Sequence, residues 1–351
     1  MILLTGATGF VGMEVLVRLL EQTDRDILCL VRAHDHAAAE RRLNGVLETL
    51  YRDPSRHAGR VHALAGDLTG DIATPPRELD LVCHCAASIS FDLPLEEARA
   101  INVEGTRAML GLARAAGARR FVHVSTAYVA GTRPGDFGED MLDEGQGFRN
   151  TYEQTKWEAE HLVADRAGDF ASTAVARPSI VMGESDSGWT PAFNVLYWPL
   201  RAFARGLFDQ VPAKPDGRVD VVPVDHVADG IVHLLDRSET GVFNLVAGHD
   251  APTVEDLIDL STEAFGIQRP RLVDPGHPTK LADGEVYVPY FDMKVVFDDE
   301  RARAVLEPAG IRAPRLADCF GALIDYAETA RWGKTPMSRQ AARERMQPAA
   351  A

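Results

Sequence analysis

The sequence opens on a short apolar run that three evenly spaced glycines follow at once. Residues 1–5 read as a buried strand, Gly6, Gly9 and Gly12 form a turn, and residues 13–20 are apolar at helical spacing. Such a unit collects free backbone N–H groups and the positive end of a helix dipole at one point, which suits a diphosphate. A glycine-rich βα turn without a ligand is the alternative. In this context the pattern favours nucleotide binding.

Later apolar runs extend the pattern through the first half of the chain. They are near-continuous stretches of Val, Leu, Ile, Ala and Cys, as parallel strands covered on both faces require. We therefore predict an α/β fold, a Rossmann-type doubly wound parallel sheet with a smaller C-terminal substrate lobe. The predicted strands are residues 26–31, 60–65, 79–85, 120–126 and 172–177.

Composition excludes several classes of function. The chain has 351 residues, 46% hydrophobic, with a net charge of −15, which argues against a nucleic-acid partner because such proteins need a basic surface. Met1 begins the first strand directly and no apolar run reaches the length of a membrane span, so we expect neither a signal peptide nor a span. The four cysteines lack C-x-x-C spacing. We read them as reduced thiols of a cytoplasmic protein, and we expect no metal.

The end of the second strand predicts the cofactor. An acidic residue there binds the 2′-hydroxyl of NADH, whereas arginine accommodates the 2′-phosphate of NADPH. Arg32 stands at this position, with no acid beside it, and Arg42 is a candidate for a second phosphate contact. We therefore expect NADPH, with a surface arginine as the alternative. Asp67 and Leu68 are candidates for the adenine.

Tyr152 and Lys156 are candidates for acid–base chemistry. They lie four residues apart on a helix predicted to begin at Asn150 or Thr151, so they share a face. A neighbouring ammonium is expected to lower the pKa of the phenol, which could then exchange a proton with a carbonyl oxygen. Thr126, or Ser125 beside it, could donate to the same oxygen. A surface Tyr–Lys pair is the alternative.

These motifs together resemble the extended short-chain dehydrogenase/reductases. Gly6-x-x-Gly9-x-x-Gly12, Thr126, Tyr152-x-x-x-Lys156 and the runs at 102–106 and 177–179 follow the family's order over roughly residues 1–250. Within that family the sequences at 30–33, 123–129, 177–183 and 222–227 are most similar to thioester reductases and fatty acyl-CoA reductases. The resemblance implies that Thr126 is the catalytic hydroxyl and that Pro178, Ser179 and Ile180 contact the nicotinamide.

Residues and resemblance together assign catalysis to Thr126, Tyr152 and Lys156. The predicted cofactor-binding residues comprise the glycine turn, the strand ends and the catalytic pair. They are Thr5, Gly6, Thr8, Gly9, Phe10, Val11, Gly12, Arg32, Arg42, Asp67, Leu68, Ala86, Ala87, Ser88, Tyr152, Lys156, Pro178, Ser179 and Ile180.

The regular alternation of strands and helices ends after Gly183, which suggests that the chain divides into two parts at this point. We predict an NADP-binding core over 1–183 and a mainly substrate-binding lobe over 184–335. Residues of about 218–246 are expected to return to the core, and 336–351 to form a frayed tail. Residues 131–147 are expected to form a mobile loop over the site. Asp225 is expected to cap a helix.

The expected activity is NADPH-dependent reduction of an acyl thioester, bound to coenzyme A or a carrier protein, to an aldehyde or onward to an alcohol. The alternative is an NADP-dependent ketone, aldehyde or hydroxysteroid-like alcohol dehydrogenase of the same family; a non-catalytic NADP sensor is a third reading.

The aromatic stretch 189–208 suits an apolar substrate or, equally, an ordinary hydrophobic core. Arg201, Arg205, Lys214 and Arg218 are docking candidates for a carrier or, by the simpler reading, solvated charges.

Overall fold

The computed structural model describes residues 1–57, 59–193, 195–207, 209–274, 290 and 293–346. Among these residues, seven strands form one parallel sheet: β1 (Ile2–Thr5), β2 (Ile27–Arg32), β3 (Val61–Gly66), β4 (Leu81–His84), β5 (Arg120–Val124), β7 (Ser172–Pro178) and β11 (Gly241–Leu245). Their order across the sheet is β11-β7-β5-β4-β1-β2-β3. The order turns back on itself between β1 and β4, and this switch point is where doubly wound sheets bind ligands. The predicted fold class is confirmed.

Helices cover both faces of this sheet. On one face α1 (Phe10–Gln22), α2 (His36–Leu50) and α7 (Val224–Asp236) bury Leu16, Leu43 and Ile231 against the strands. On the other face Met109 and Val163 pack from α4 (Gly105–Ala115) and α5 (Thr151–Asp165). α4 is preceded by α3 (Leu95–Arg99) and by a π-helical turn at Ala100–Glu104.

The later part of the chain builds a second hydrophobic cluster beside the carboxyl ends of the strands. Its helices are α6 (Tyr197–Ala204), α8 (Val254–Phe265) and α10 (Leu316–Thr329), whereas α9 (Glu300–Leu306) packs Ala302 and Leu306 into the first cluster. Three pairs of short parallel strands complete it: β8 (Ile180–Met182) with β10 (Val221–Pro223), β9 (Gln210–Pro212) with β12 (Arg271–Val273), and β6 (Gly135–Phe137) with β13 (Val295–Phe297). Leu200, Leu257 and Leu323 lie in its core. This second cluster therefore lies against the edge of the sheet at which the carboxyl ends of its strands meet.

The expectation of a mobile loop at 131–147 is wrong. Within it, β6 pairs with β13, and the carboxylate of Glu139 accepts hydrogen bonds from the backbone N–H groups of Asn244, Arg301 and Ala302 at 2.6–3.0 Å. Glu139 is buried, and through these hydrogen bonds its carboxylate joins the segment to the edge strand β11 and to the N-terminus of α9.

Two further expectations are corrected. Asp225 does not cap α7; its carboxylate accepts hydrogen bonds from the N–H and hydroxyl groups of Ser185. The tail is not frayed as far as Met346, because Arg339–Met346 form helix α11. Arg339 is buried there between the carboxylates of Glu14 and Glu184, which explains why this polar segment is held against the core. Residues 347–351 lie outside the described residues.

No helix among the described residues is long and apolar enough to cross a bilayer.

Candidate active site

The glycine turn brings backbone into contact where no side chain would fit. Gly6 has φ +77°, and a Cβ atom there would lie 2.8 Å from the backbone N of Ala86. A Cβ on Gly12 would lie 2.0 Å from the carbonyl oxygen of Gly6. Helix α1 therefore starts directly behind the turn, with its unpaired N–H groups at the switch point. This is a cradle that a diphosphate fits.

One cleft of about 600 Å³ runs from this turn along the carboxyl ends of the strands. It is lined by most of the predicted cofactor residues and by the whole predicted catalytic set. These are Gly6, Thr8, Gly9, Phe10, Val11, Gly12, Arg32, Arg42, Asp67, Leu68, Ala86, Ala87, Thr126, Tyr152, Lys156, Pro178, Ser179 and Ile180.

Two predicted cofactor residues, Thr5 and Ser88, do not line the cleft. The hydroxyl of Thr5 is buried beneath it, where it accepts from the N–H of Ala86 and contacts Nδ1 of His84 at 2.8 Å. The backbone of Ser88 is bound on both sides by the side chain of Asn102. Their strand-end positions suggested contact with the cofactor, but Thr5 binds the loop at 86–88 from beneath and Ser88 is the point at which Asn102 holds that loop.

The π-helical turn explains how Asn102 reaches this loop. Its Oδ1 accepts from the N–H of Ser88 at 2.8 Å, and its Nδ2 donates to the carbonyl of Ser88 at 3.1 Å and to Thr155 at 2.9 Å. Asn102 is 2% exposed, so these bonds replace all of its contact with water. It thereby joins the cleft loop to α5, the helix that carries Tyr152 and Lys156.

The far end of the cleft holds Arg32 and Arg42, as the sequence suggested. Both are exposed, and the guanidinium of Arg42 donates to the backbone carbonyl of Arg32. Asp67 accepts from the N–H of Thr69 at 3.0 Å, which lowers the pKa of its carboxyl, and Leu68 packs on Gly105. Two cations and an apolar side chain are thus grouped at this end of the cleft.

Thr126 follows β5 and lies on the inner wall of the cleft. Its hydroxyl donates to the carbonyl of Pro178 at 3.3 Å and accepts from the N–H of Tyr128. Ser125 also lines the cleft, but its buried hydroxyl finds no partner among the described residues. The structure therefore leaves both hydroxyl groups within the site.

Tyr152 and Lys156 both face the cleft from one side of α5. Burial raises the pKa of Tyr152 to about 12; a hydrogen bond with Thr126 lowers it, and the charge of Glu153 raises it. The expectation that Lys156 lowers this pKa is wrong for this structure. Its ammonium instead donates to the carbonyl of Val124 at 2.8 Å, and burial lowers the pKa of Lys156 to about 8.

Sequence reasoning missed the aromatic wall beside Tyr152. Phe91 contacts Tyr152 with ring centroids 5.8 Å apart and stacks on Tyr290 at 5.5 Å. Tyr128 meets Tyr290 edge-on at 5.0 Å. The hydroxyl of Tyr290 donates to Glu153 at 2.7 Å, which anchors a distant part of the chain to α5. No local motif marks Phe91 or Tyr290, because they come together only after folding.

The aromatic stretch 189–208 mostly builds core. Trp189 is fully buried with its Nε1 bonded to the carbonyl of Met337, and Phe193 stacks on Tyr326. Tyr197 does line the cleft. Leu196 and Phe203 belong to the core of the second cluster, Trp198 is half-buried, and Phe208 lies outside the described residues.

The four cations considered as docking residues differ in their contacts and in their exposure to solvent. Arg218 donates to the carbonyls of His249 and Ala251, so it holds backbone within the fold. Arg205 and Lys214 are exposed and Arg201 is half-buried. None of the four lines the cleft.

Comparison with known proteins agrees with this architecture. The family model described as "Male sterility protein" matches residues 4–231. The chain is 28% identical to a linear gramicidin synthase of Brevibacillus parabrevis over 92% of its length. It is 34% identical to isonitrile lipopeptide synthase of Streptomyces coeruleorubidus over 66%. It spans only 7% and 16% of these two relatives.

Among solved structures, the terminal R domain from the myxalamid PKS-NRPS pathway superposes with a TM-score of 0.82. The two are 26% identical, and the match covers 96% of this chain and 92% of that one. The chain therefore belongs to the family described as "Male sterility protein", and it is a nicotinamide-dependent oxidoreductase of the extended short-chain dehydrogenase/reductase class, in its thioester-reductase branch.

Proposed function

We propose that this chain uses NADPH to reduce an acyl thioester to an aldehyde, and that it can carry the aldehyde on to an alcohol. One observation carries the proposal. A single cleft joins the glycine cradle and Arg32 to Thr126, Tyr152 and Lys156, and continues onto an aromatic wall. A dinucleotide, a proton donor and an apolar acyl chain can therefore occupy the same cavity.

The residues of the cleft fit a dinucleotide along its whole length. The turn at Gly6 and Gly12 leaves room for a diphosphate but not for side chains, and α1 directs unpaired N–H groups at it. Arg32 and Arg42 provide cations for a 2′-phosphate, which favours NADPH over NADH. Pro178, Ser179 and Ile180 line the cleft beside Thr126 and are the residues we expect next to the nicotinamide. When bound, the reduced nicotinamide supplies the hydride that the acyl carbon accepts.

The hydroxyl groups of Thr126 and Tyr152 are placed to bind the thioester oxygen. Negative charge grows on that oxygen during the reaction, and two donors in a water-poor cleft stabilise it. With a pKa of about 12, Tyr152 carries its proton at neutral pH and can give it to the oxygen. Lys156 lies on the same face of α5 and lines the cleft, where its ammonium would bind the hydroxyl groups of the nicotinamide ribose and orient the cofactor.

Breakdown of the resulting hemithioacetal completes the proposed reaction. Its O–H proton returns to Tyr152 as the carbonyl re-forms, and the carbon–sulfur bond breaks. The sulfur leaves as a thiolate that takes a proton from water. The net change is one hydride and one proton consumed, with an aldehyde and a thiol released.

The walls near Tyr152 favour an apolar acyl group. Ile89, Phe91, Tyr128, Val195 and Tyr290 surround this end, and none of them is charged. A thioester on a carrier protein is the donor we favour, because the chain resembles small parts of two long synthases and a terminal R domain. Coenzyme A is the alternative carrier of the same thioester.

A panel of thioesters tests this proposal. Purified protein is given NADPH with acyl groups of increasing length, each presented on coenzyme A and on a phosphopantetheinylated carrier, and aldehyde and alcohol are quantified separately. We expect NADPH oxidation matched by free thiol and aldehyde, with faster turnover of carrier-bound donors. Turnover of ketones with NADPH, or of secondary alcohols with NADP⁺, with no thioester reduced, would instead support the dehydrogenase alternative.

A further inference from the structure

The ammonium of Lys156 is surrounded by neutral hydrogen-bond acceptors. Its Nζ donates to the carbonyl of Val124 at 2.8 Å and lies 3.3 Å from Nε2 of His123. Glu160, one turn further along α5, is engaged elsewhere: its carboxylate accepts three hydrogen bonds of 2.7–3.0 Å from the guanidinium of Arg177. Within the described residues, this buried cation is thus bonded to a peptide oxygen and an imidazole.

The imidazole of His123 is held in its neutral form. It is fully buried, and burial together with the charge of Lys156 keeps its pKa well below the usual value. A neutral imidazole has one donor and one acceptor nitrogen. Since an ammonium can only donate, Nε2 is the acceptor and the proton lies on Nδ1.

The neighbouring His84 gives His123 no hydrogen bond. The two rings lie 5.4 Å apart, and the nitrogens of His84 are engaged by Thr5 at 2.8 Å and Thr106 at 3.2 Å. Within the described part of the chain, Nδ1 of His123 has no partner. A buried donor without a partner costs folding free energy. An apolar side chain would avoid that cost, so fold stability does not explain an imidazole at this position.

We propose that His123 is a positioning residue, whose Nε2 accepts a hydrogen bond from Lys156 and keeps that group charged and aimed into the cleft. The inference deepens the proposed function, since it rests on a charged Lys156 binding the cofactor in the cleft. The titratable groups around the ammonium are His123 on β5, His84 and Cys85 at the end of β4, and Tyr152 and Glu160 on α5. Of these side chains, His123 is the one that the described structure places in hydrogen-bond contact with Nζ.

A direct titration of Lys156 tests the proposal without relying on turnover. The chain has five lysines. Lysine labelled with ¹⁵N therefore gives few side-chain signals, and Lys156→Arg assigns the relevant one. In His123→Leu, we expect the pKa of Lys156 to fall by about one unit, because the charged form loses a hydrogen bond. His123→Met offers only the weak acceptor of a thioether and serves if the leucine variant does not fold.

Two further variants separate positioning from packing. His123→Gln can place an amide oxygen where Nε2 lies, so the pKa of Lys156 should return most of the way. His226→Leu is the matched control: His226 is also buried and its Nδ1 also has no partner among the described residues, but it lines a different cavity. It should leave the Lys156 signal unchanged.

The results distinguish the positioning role from the proposed function. An unchanged Lys156 pKa in both His123→Leu and His123→Met, or an equal shift in His226→Leu, would overturn the positioning role. A shifted pKa in a protein that reduces no thioester would reject the proposed function and leave the positioning role standing. If both hold, the basic limb of the kcat/KM profile for the thioester moves to lower pH with the NMR titration.

Discussion

The ammonium of Lys156 is bonded to the carbonyl oxygen of Val124, 2.8 Å away, on the strand that leads to Thr126. The strand therefore sets the direction of the lysine, and the helix sets its distance along the cleft. Lys156 and Thr126 are thereby positioned by the same piece of backbone. Any movement of β5 relative to α5 would disturb both groups together.

The pH dependence of the reaction is expected to follow Lys156. Its pKa is about 8 because burial disfavours the charged form, whereas that of Tyr152 is about 12. The ammonium is therefore present below pH 8 and lost above it, while Tyr152 keeps its proton throughout. We expect kcat/KM for the thioester to fall about tenfold per pH unit above about 8, since this parameter reports the free enzyme. A profile that stays flat to about pH 10 would contradict the assignment.

Removal of the Tyr152 hydroxyl should abolish proton transfer and spare the cofactor. For Tyr152→Phe we expect kcat to fall by roughly 10²–10⁴, the range for loss of a general acid. The ring still packs on Phe91, so the Kd for NADPH, measured by fluorescence titration, should change little. Thr126→Val should cost roughly 10²–10³ as a lost oxyanion donor, with Ser125→Ala as its neighbour control. Activity close to that of the unmodified protein in Tyr152→Phe would show that another group supplies the proton.

The choice between NADPH and NADH is expected to depend on Arg32. Arg32→Ala should raise the Kd for NADPH by about 10–100-fold, because hydrogen bonds to charged groups contribute about 1.5–3 kcal/mol. The Kd for NADH should stay the same. Arg41→Ala is the control, since Arg41 is exposed beside Arg42 and does not line the cleft. Equal losses of affinity for both cofactors would place Arg32 away from the 2′-phosphate.

Glycine-to-alanine substitutions should have opposite effects at two helical positions. Gly12→Ala places a Cβ 2.0 Å from the carbonyl oxygen of Gly6, and such overpacking costs about 1–3 kcal/mol of stability. It should also remove dinucleotide binding. Gly45→Ala meets no atom within 4 Å in α2, and should stabilise the protein by about 0.5–1 kcal/mol. Denaturant titrations measure both. A neutral effect at Gly12 would show that the turn relaxes.

Helix α11 is expected to depend on one buried arginine. Arg339 contacts Glu14 at 2.8 Å and Glu184 at 2.5 Å, and all three are almost fully buried. Arg339→Ala leaves two carboxylates without this partner, which should cost about 3–5 kcal/mol in the free energy of unfolding. Arg343→Ala removes a half-exposed contact to the same Glu184 and should cost less than about 1 kcal/mol. Similar losses in both variants would disprove this difference.

The sequence alone determined the features that depend on neighbours along the chain. The glycine turn, the apolar strands and the four-residue spacing of Tyr152 and Lys156 are local patterns, and backbone sterics and helix geometry convert them directly into structure. For α5 the sequence left the cap open between Asn150 and Thr151, and the structure shows Asn150 accepting from the N–H of Glu153. The fold class, the glycine turn and the Tyr152–Lys156 pair of the cleft followed from these patterns.

Tertiary structure decided what depends on burial and on distant partners. Desolvation, which no spacing reveals, raised the pKa of Tyr152 against expectation. Glu139 fixed a segment that its composition marked as mobile, because the three backbone N–H groups that it binds belong to residues more than 100 positions away. The bond between Val124 and Lys156 likewise exists only once β5 and α5 pack together. Charge environment and long-range hydrogen bonding are properties of the packed chain, so only the packed chain can set them.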